Sequence, residues 1–331
     1  MKYKSGVFMD MNEEMDIENP SQAETEKEPD KNTEPKVMGT LLKVIAYISS
    51  YYLLEILWGI VLVVITLFQY RPDFGDEWGL FLKDESMRTK FINAIVSRIE
   101  VLEWHDLAAA VTWLFLLFIF FRVRKQPILE RVTLKKCEPL FLLVGALVGI
   151  GGKMLSDGIY IVFPRLIGDK MAGGTAAASF KDFYLADPNT GLNAVLRIIA
   201  IVIMIPIVEE IIFRGICFKH LKRIWATPVA VAVISVIFGL IHIRYPISHM
   251  LLMALWSILL CLMAYRSGSI VPSLFAHMLF NMISVIRSIY GIYYQRATGI
   301  LIIVFGILLL IGGGFLLVRR WKKADTINNQ Q

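Results

Sequence analysis

Residues 192–218 read LNAVLRIIAIVIMIPIVEEIIFRGICF. A helix needs about 20 apolar residues to cross the hydrocarbon core of a bilayer, and this run is long enough. Yet it carries Arg197, Glu209, Glu210 and Arg214. A charge at the centre of a spanning helix costs roughly 2.5–3.5 kcal/mol on insertion scales, so each of these needs a reason. An ion pair supplies one for Glu210 and Arg214, which are four apart with the acid first, the favourable order on one helical face. It does not reach Glu209, about 100° further round the helix and without an evident partner in this stretch. Pro206 removes one intrahelical hydrogen bond just upstream and opens the ladder, which fits a polar cavity.

The rest of the chain shares the apolar background. Of 331 residues, 56% are hydrophobic and 19% charged, a balance that belongs to membrane proteins. A soluble protein of this composition would expose large sticky patches. Low-complexity disorder is excluded by the hydrophobicity, and a disulfide scaffold by Cys137, Cys217 and Cys261 being three and scattered. The net charge of +6 is too dilute for a nucleic-acid footprint. It is also unevenly spread. Residues 1–38 hold ten acidic and five basic side chains, leaving 29 basic against 18 acidic in the remainder.

These features predict an all-α, polytopic membrane bundle of about eight transmembrane helices. The expected spans are 44–70, 107–121, 139–163, 192–218, 224–243, 245–265, 267–286 and 297–318. Glu55 breaks the first. The third is loosened by Gly145, Gly149, Gly151 and Gly152 and interrupted by Lys153 and Asp157. Residues 1–38 read as a disordered acidic tail, 39–185 as N-terminal spans and loops, 186–292 as the core that carries the motifs, and 293–331 as a last span with a basic tail. Basic residues cluster in 122–136, in 219–223 and after 318, which the positive-inside rule places on the cytoplasmic side together with both termini. The loops 71–106 and 164–191 would lie outside. The expectation is an integral, multi-pass protein, in the plasma membrane if the source is bacterial.

Five histidines occur: His105, His220, His242, His249 and His277. The first two sit beside charges in expected loops and His249 follows a short Pro-containing turn, so none of the three is assigned a role. His242 ends the apolar run VISVIFGLIH, and His277 lies in PSLFAHMLFN, one turn from Asn281 on the same face. A lone intramembrane histidine is more often an interhelical hydrogen-bonder than a catalyst. Two of them with a glutamate and an asparagine in neighbouring spans suggest chemistry. If the chain turns near Ala226–Pro228, Glu209 and His242 both stand about 25 Å from that turn and so at similar depth. Spacing alone does not bring His277 to that level.

Glu209-Glu210-Ile-Ile-Phe-Arg214 matches an EExxxR motif, Phe238-Gly-Leu-Ile-His242 an FxxxH and His277-Met-Leu-Phe-Asn281 an HxxxN. In this order, and inside expected spans, they resemble the CAAX-protease and bacteriocin-processing family of membrane proteins, also called ABI or CPBP, which includes type II CAAX prenyl endopeptidases. The resemblance covers roughly 190–290. It implies an intramembrane endopeptidase in which Glu209 activates water, His242 shares proton transfer, and His277 and Asn281 bind the tetrahedral oxyanion. Glu210 and Arg214 would support Glu209, and Phe238 belongs to the second motif. Physical reasoning agrees: a carboxylate taken out of water is a stronger base toward water, and fixed donors stabilise charge where it develops. The implied partners are the lipid bilayer and a membrane-associated or lipidated protein or peptide, with no nucleic acid.

Two rivals stand beside this reading. Glu209, His242 and His277 also form a zinc set with an open position for water, although no HExxH occurs; the family has been described both ways, and the metal-free form without a cofactor is favoured here. A non-catalytic immunity or interaction protein of the same fold is the other. A transporter with a proton relay is disfavoured because no internal repeat is visible.

Overall fold

The computed structural model describes residues 37–74, 84–86, 88–89, 100–163, 195–196, 198–243, 245, 247–289 and 296–328. The acidic tail up to residue 36, most of the loops 71–106 and 164–191, and Arg197 lie outside the described residues. Among those described, every regular element is helical. The long elements are α1 (Val37–Phe74), α2 (Glu100–Val123), α4 (Pro139–Val162), α6 (Thr227–Leu240), α7 (Ile247–Ser267), α8 (Val271–Ile289) and α9 (Arg296–Asn328), with a single turn, α3 (Ile128–Arg131), after α2. The remaining element, α5, runs over 199–221 and combines α-helical with π-helical turns.

Each of the eight expected spans therefore corresponds to a helical element. Among the described residues, five helices are long and apolar enough to cross a membrane: Val37–Ile65, His105–Val123, Pro139–Val162, Ile247–Ser267 and Ala297–Arg319. Two further apolar helices are shorter, Thr227–Leu240 and Val271–Arg287. The run 224–243 yields only the 14 residues of α6, about 21 Å of helix. The chain turns before it, where the Ile224 and Trp225 N–H groups close back on Leu221, and α6 then starts with Pro228 in its first turn. It turns again at its end, where the His242 N–H reaches Gly239 O. Outward faces stay apolar. Leu53, Ile56, Leu57 and Ile60 of α1 and Leu301, Phe305, Leu308 and Ile311 of α9 are exposed, a belt that lipid is suited to cover.

The glycines of α4, which looked like points of weakness, are its contact surface. A Cβ on Gly145 would stand 2.6 Å from the Pro272 carbonyl oxygen, and one on Gly149 2.5 Å from that of Ala276. Both pairs are four residues apart, so one turn of α4 lies directly on one turn of α8. On another side, Gly151 meets the carbonyl of Gly306, and Gly158 that of Gly299. Between apolar helices in lipid, association comes from such close backbone approach rather than from the hydrophobic effect. Gly149 thus sets the height and rotation of the helix that carries His277.

Gly149→Ala is expected to destabilise the detergent-solubilised protein by roughly 1–3 kcal/mol, the usual cost of overpacking. Gly312→Ala, with nothing within 4 Å of its Cβ, should leave the thermal unfolding midpoint unchanged or slightly raised.

Candidate active site

The site is built on an irregular helix. In α5 the segments Ile199–Met204 and Ile211–Cys217 are π-helical, with α-helical Ile205–Glu210 between them. The Ile205 N–H bonds five residues back to Ala200 O. In the same register the next acceptor, Ile201 O, would take the N–H of residue 206, which is proline and has none. Asn281 Nδ2 of α8 donates to that carbonyl instead, at 2.9 Å. A backbone gap dictated by Pro206 is thereby filled from the helix that carries His277. π turns of this kind occur often at functional sites.

Glu209, Glu210 and Arg214 are all buried, Glu210 fully. Arg214 Nη1 donates to Glu210 Oε1 at 2.8 Å, and Arg214 Nη2 to Ser257 Oγ of α7 at 2.7 Å. The same Glu210 oxygen lies 3.0 Å from His277 Nδ1. A carboxylate already paired with a guanidinium is an acceptor, so Nδ1 carries the proton and donates. His277 Nε2 is then the nitrogen that faces Glu209, 3.6 Å from its Oε2. One imidazole therefore spans both glutamates, oriented by the second toward the first. Such a carboxylate–histidine arrangement fixes ring position and tautomer.

Phe238 joins the second motif to this cluster. Its ring is 0% exposed. It meets Phe213 edge to face at 5.1 Å, carries the Arg214 guanidinium 4.4 Å above its centroid, and touches the rings of His242 and His277 at 5.0 and 6.0 Å. The Phe213 contact brings α5 and α6 together on the two sides of the turn that precedes α6, as the expected turn near Ala226–Pro228 requires. His242 Nδ1 is 2.8 Å from the Phe238 carbonyl, one turn back. A carbonyl can only accept, so this nitrogen also carries its proton and Nε2 keeps its lone pair. In both histidines Nδ1 is thus the nitrogen held by a close partner, and Nε2 of His277 is the one turned toward Glu209. Trp256 of α7 stands perpendicular to His277 at 5.4 Å and donates its Nε1–H to Val148 O at 3.2 Å.

All seven residues picked from the motifs lie in or beside this cluster, but Asn281 differs from the rest. Its amide is bonded to the α5 backbone rather than to Glu209, Glu210 or His277. Two features were not foreseen. His249, given no role by sequence, packs 6.0 Å from His242 and 4.5 Å from Tyr245; it lies beyond a turn, so no helical periodicity could link it to His242. Tyr51 and Glu55 of α1 come within electrostatic reach of Glu209, from a helix 150 residues distant in sequence. Among the described residues no group of three His, Cys, Asp or Glu side chains is placed to hold a metal ion.

Residues 191–283 match the family model for Type II CAAX prenyl endopeptidase Rce1-like. The match contains α5 through most of α8 and hence all three motifs. No curated protein and no solved structure matches the chain.

Arg214→Leu leaves the Glu210 carboxylate buried without its ionic partner, and breaking such a pair costs roughly 3–5 kcal/mol. Denaturation of the purified protein should show that loss, and the double variant Glu210→Met/Arg214→Leu should recover part of it.

Proposed function

We propose that the chain is an intramembrane endopeptidase that hydrolyses a peptide bond in a membrane-associated protein or peptide, using water activated by Glu209. The observation that carries this reading is the alignment of Glu209 Oε2, His277 Nε2 and Glu210 in one buried row. A bound water beside Glu209 gives one proton to its carboxylate while the oxygen attacks the scissile carbonyl. The C–N bond then breaks, and the proton held by Glu209 passes to the leaving nitrogen. The second water proton departs with the new carboxyl group, for which the His242 Nε2 lone pair is a suitable acceptor. Negative charge on the former carbonyl oxygen is met by His277. In its doubly protonated form, balanced by Glu209 and Glu210, the imidazole donates from Nε2 while Nδ1 stays on Glu210. With Glu209 still ionised and Arg214 counted, these four side chains sum to zero charge before the attack, and the proton that Glu209 then takes is balanced by the oxyanion. Asn281, one turn from His277, has a second amide N–H beyond the one given to Ile201 and can reinforce that donor. Preorganised donors of this sort contribute several kcal/mol to transition-state stabilisation.

The match over 191–283 supports a peptidase whose substrates include lipidated C-terminal segments, as the name of the CAAX prenyl endopeptidase family implies. The burial of the row among apolar helices supports a substrate that reaches it through the membrane. A metal-free reaction is the form this donor arrangement favours, with Glu209 as base and no ion between it and the water.

Comparative peptidomics of cells carrying the wild-type protein or Glu209→Gln tests the activity and identifies substrates together. Glu209→Gln, His242→Ala and His277→Ala should each lower cleavage by about 10²–10⁴-fold, the range for loss of an acid–base group, with membrane insertion retained. Glu210→Gln should lower it less. Undiminished cleavage by Glu209→Gln defeats the mechanism. A chelator should leave the rate unchanged. Zinc that co-purifies in one-to-one proportion and restores activity after chelation would replace Glu209-only activation by metal-assisted hydrolysis.

A further inference from the structure

The charged residues of α4 take no part in that chemistry. Lys153 and Asp157 lie one turn apart and are both buried. Lys153 Nζ donates to Asp157 Oδ1 at 2.6 Å, and Arg287 Nη1 of α8 reaches the same oxygen at 2.6 Å. A structural tie between α4 and α8 needs one cation for this carboxylate, and Arg287 already provides it. Lys153 is a second one, placed inside a helix bundle where an apolar side chain would carry no desolvation cost. Intramembrane charges of this sort mark binding or transport sites more often than scaffolding. An ammonium has three donors, and Asp157 is the one hydrogen-bond acceptor of Lys153 among the described residues.

Its position joins it to the reaction centre. The Lys153 ammonium is 5.4 Å from the centroid of Phe280, Phe280 packs on Trp256 at 4.6 Å, and Trp256 stands against His277 at 5.4 Å. Along α8, Phe280 is three residues past His277, about 4.5 Å of axial rise. A group bound at Lys153 would thus lie within a few extended residues, at about 3.3 Å each, of a bond held at His277. Lys153 is also the fifteenth of the 24 residues of α4, well inside the helix. That depth favours an anion delivered by a peptide threaded into the bundle over the phosphate of a lipid headgroup, which stays at the membrane surface.

We propose that Lys153 binds a carboxylate of the peptide substrate, its C-terminus or an acidic side chain close to the scissile bond, and so selects where the chain is cut. The assignment rests on the peptidase reading of the site. It places a specificity-determining residue on α4, outside the segment 191–283.

The test uses binding, so that it does not depend on turnover. The full chain carrying Glu209→Gln is placed in phosphatidylcholine nanodiscs and titrated with a fluorescein-labelled apolar hexapeptide, as free acid and as C-terminal amide. The acid should bind at least about tenfold tighter, within the range for a desolvated charge contact. Lys153→Met should bring the two forms within about twofold, and Lys153→Arg should keep most of the difference; Lys153→Gln serves if the methionine variant does not insert. An amide peptide with one internal Glu that regains the affinity assigns the side chain rather than the terminus, and either result supports a carboxylate site. Equal binding of acid and amide, no binding of either, or a preference that survives Lys153→Met overturns the proposal. So does Lys153-dependent displacement of the acid peptide by phosphatidylglycerol, which would make the anion a lipid phosphate. Absent cleavage by the wild-type chain, with the acid preference intact, would instead count against the peptidase reading alone.

Discussion

The site depends on one oxygen. Glu210 Oε1 receives Arg214 from its own helix and His277 from α8, and neither contact could be lost without leaving a charge or a ring nitrogen stranded among apolar side chains. In a low-dielectric bundle such a carboxylate is costly alone and strongly directing when paired. It fixes the tautomer of His277 and hence which nitrogen faces Glu209. It also holds the guanidinium over Phe238, whose carbonyl bonds His242. Three motifs from three helices are in this way oriented by one buried ion pair.

The backbone makes room for that pair by being irregular. Pro206 breaks the hydrogen-bond ladder of α5 between two π-helical segments, and Asn281 closes the gap it leaves. The same asparagine that motif reasoning assigned to the oxyanion is therefore also a brace between α5 and α8. Close contact of Gly145 and Gly149 with the α8 backbone sets that helix from the opposite side. His277 is consequently positioned by two unrelated devices, a side-chain cap and a glycine face.

What could be read in advance follows the reach of local rules. The Glu210–Arg214 pair obeys i,i+4 spacing, and His277 with Asn281 does the same on its own helix, so both were visible in sequence. The apolar runs likewise marked eight of the nine described helical elements, all but the single turn α3. The meeting of Glu209 with His277 was not visible, because it joins α5 to α8 across 68 positions and depends on rotations that spacing does not encode. Nor was the place of His249, which follows a turn that breaks the helical period, or the reduction of 224–243 to 14 helical residues, since hydrophobicity continues through turns that end a helix. The α4 glycines were misjudged for a related reason. A composition count treats them as helix weakeners, whereas packing in lipid uses the missing Cβ.

The shortness of α6 bears on the membrane itself. Its length, about 21 Å, falls well below the roughly 30 Å hydrocarbon thickness of an average bilayer. A short hydrophobic segment is accommodated by local thinning of the bilayer or by burial of its ends in protein. Where α6 is exposed, as at Val229, Val236 and Leu240, a bilayer thinned to match its length would bring the headgroup region closer to the turn that carries His242.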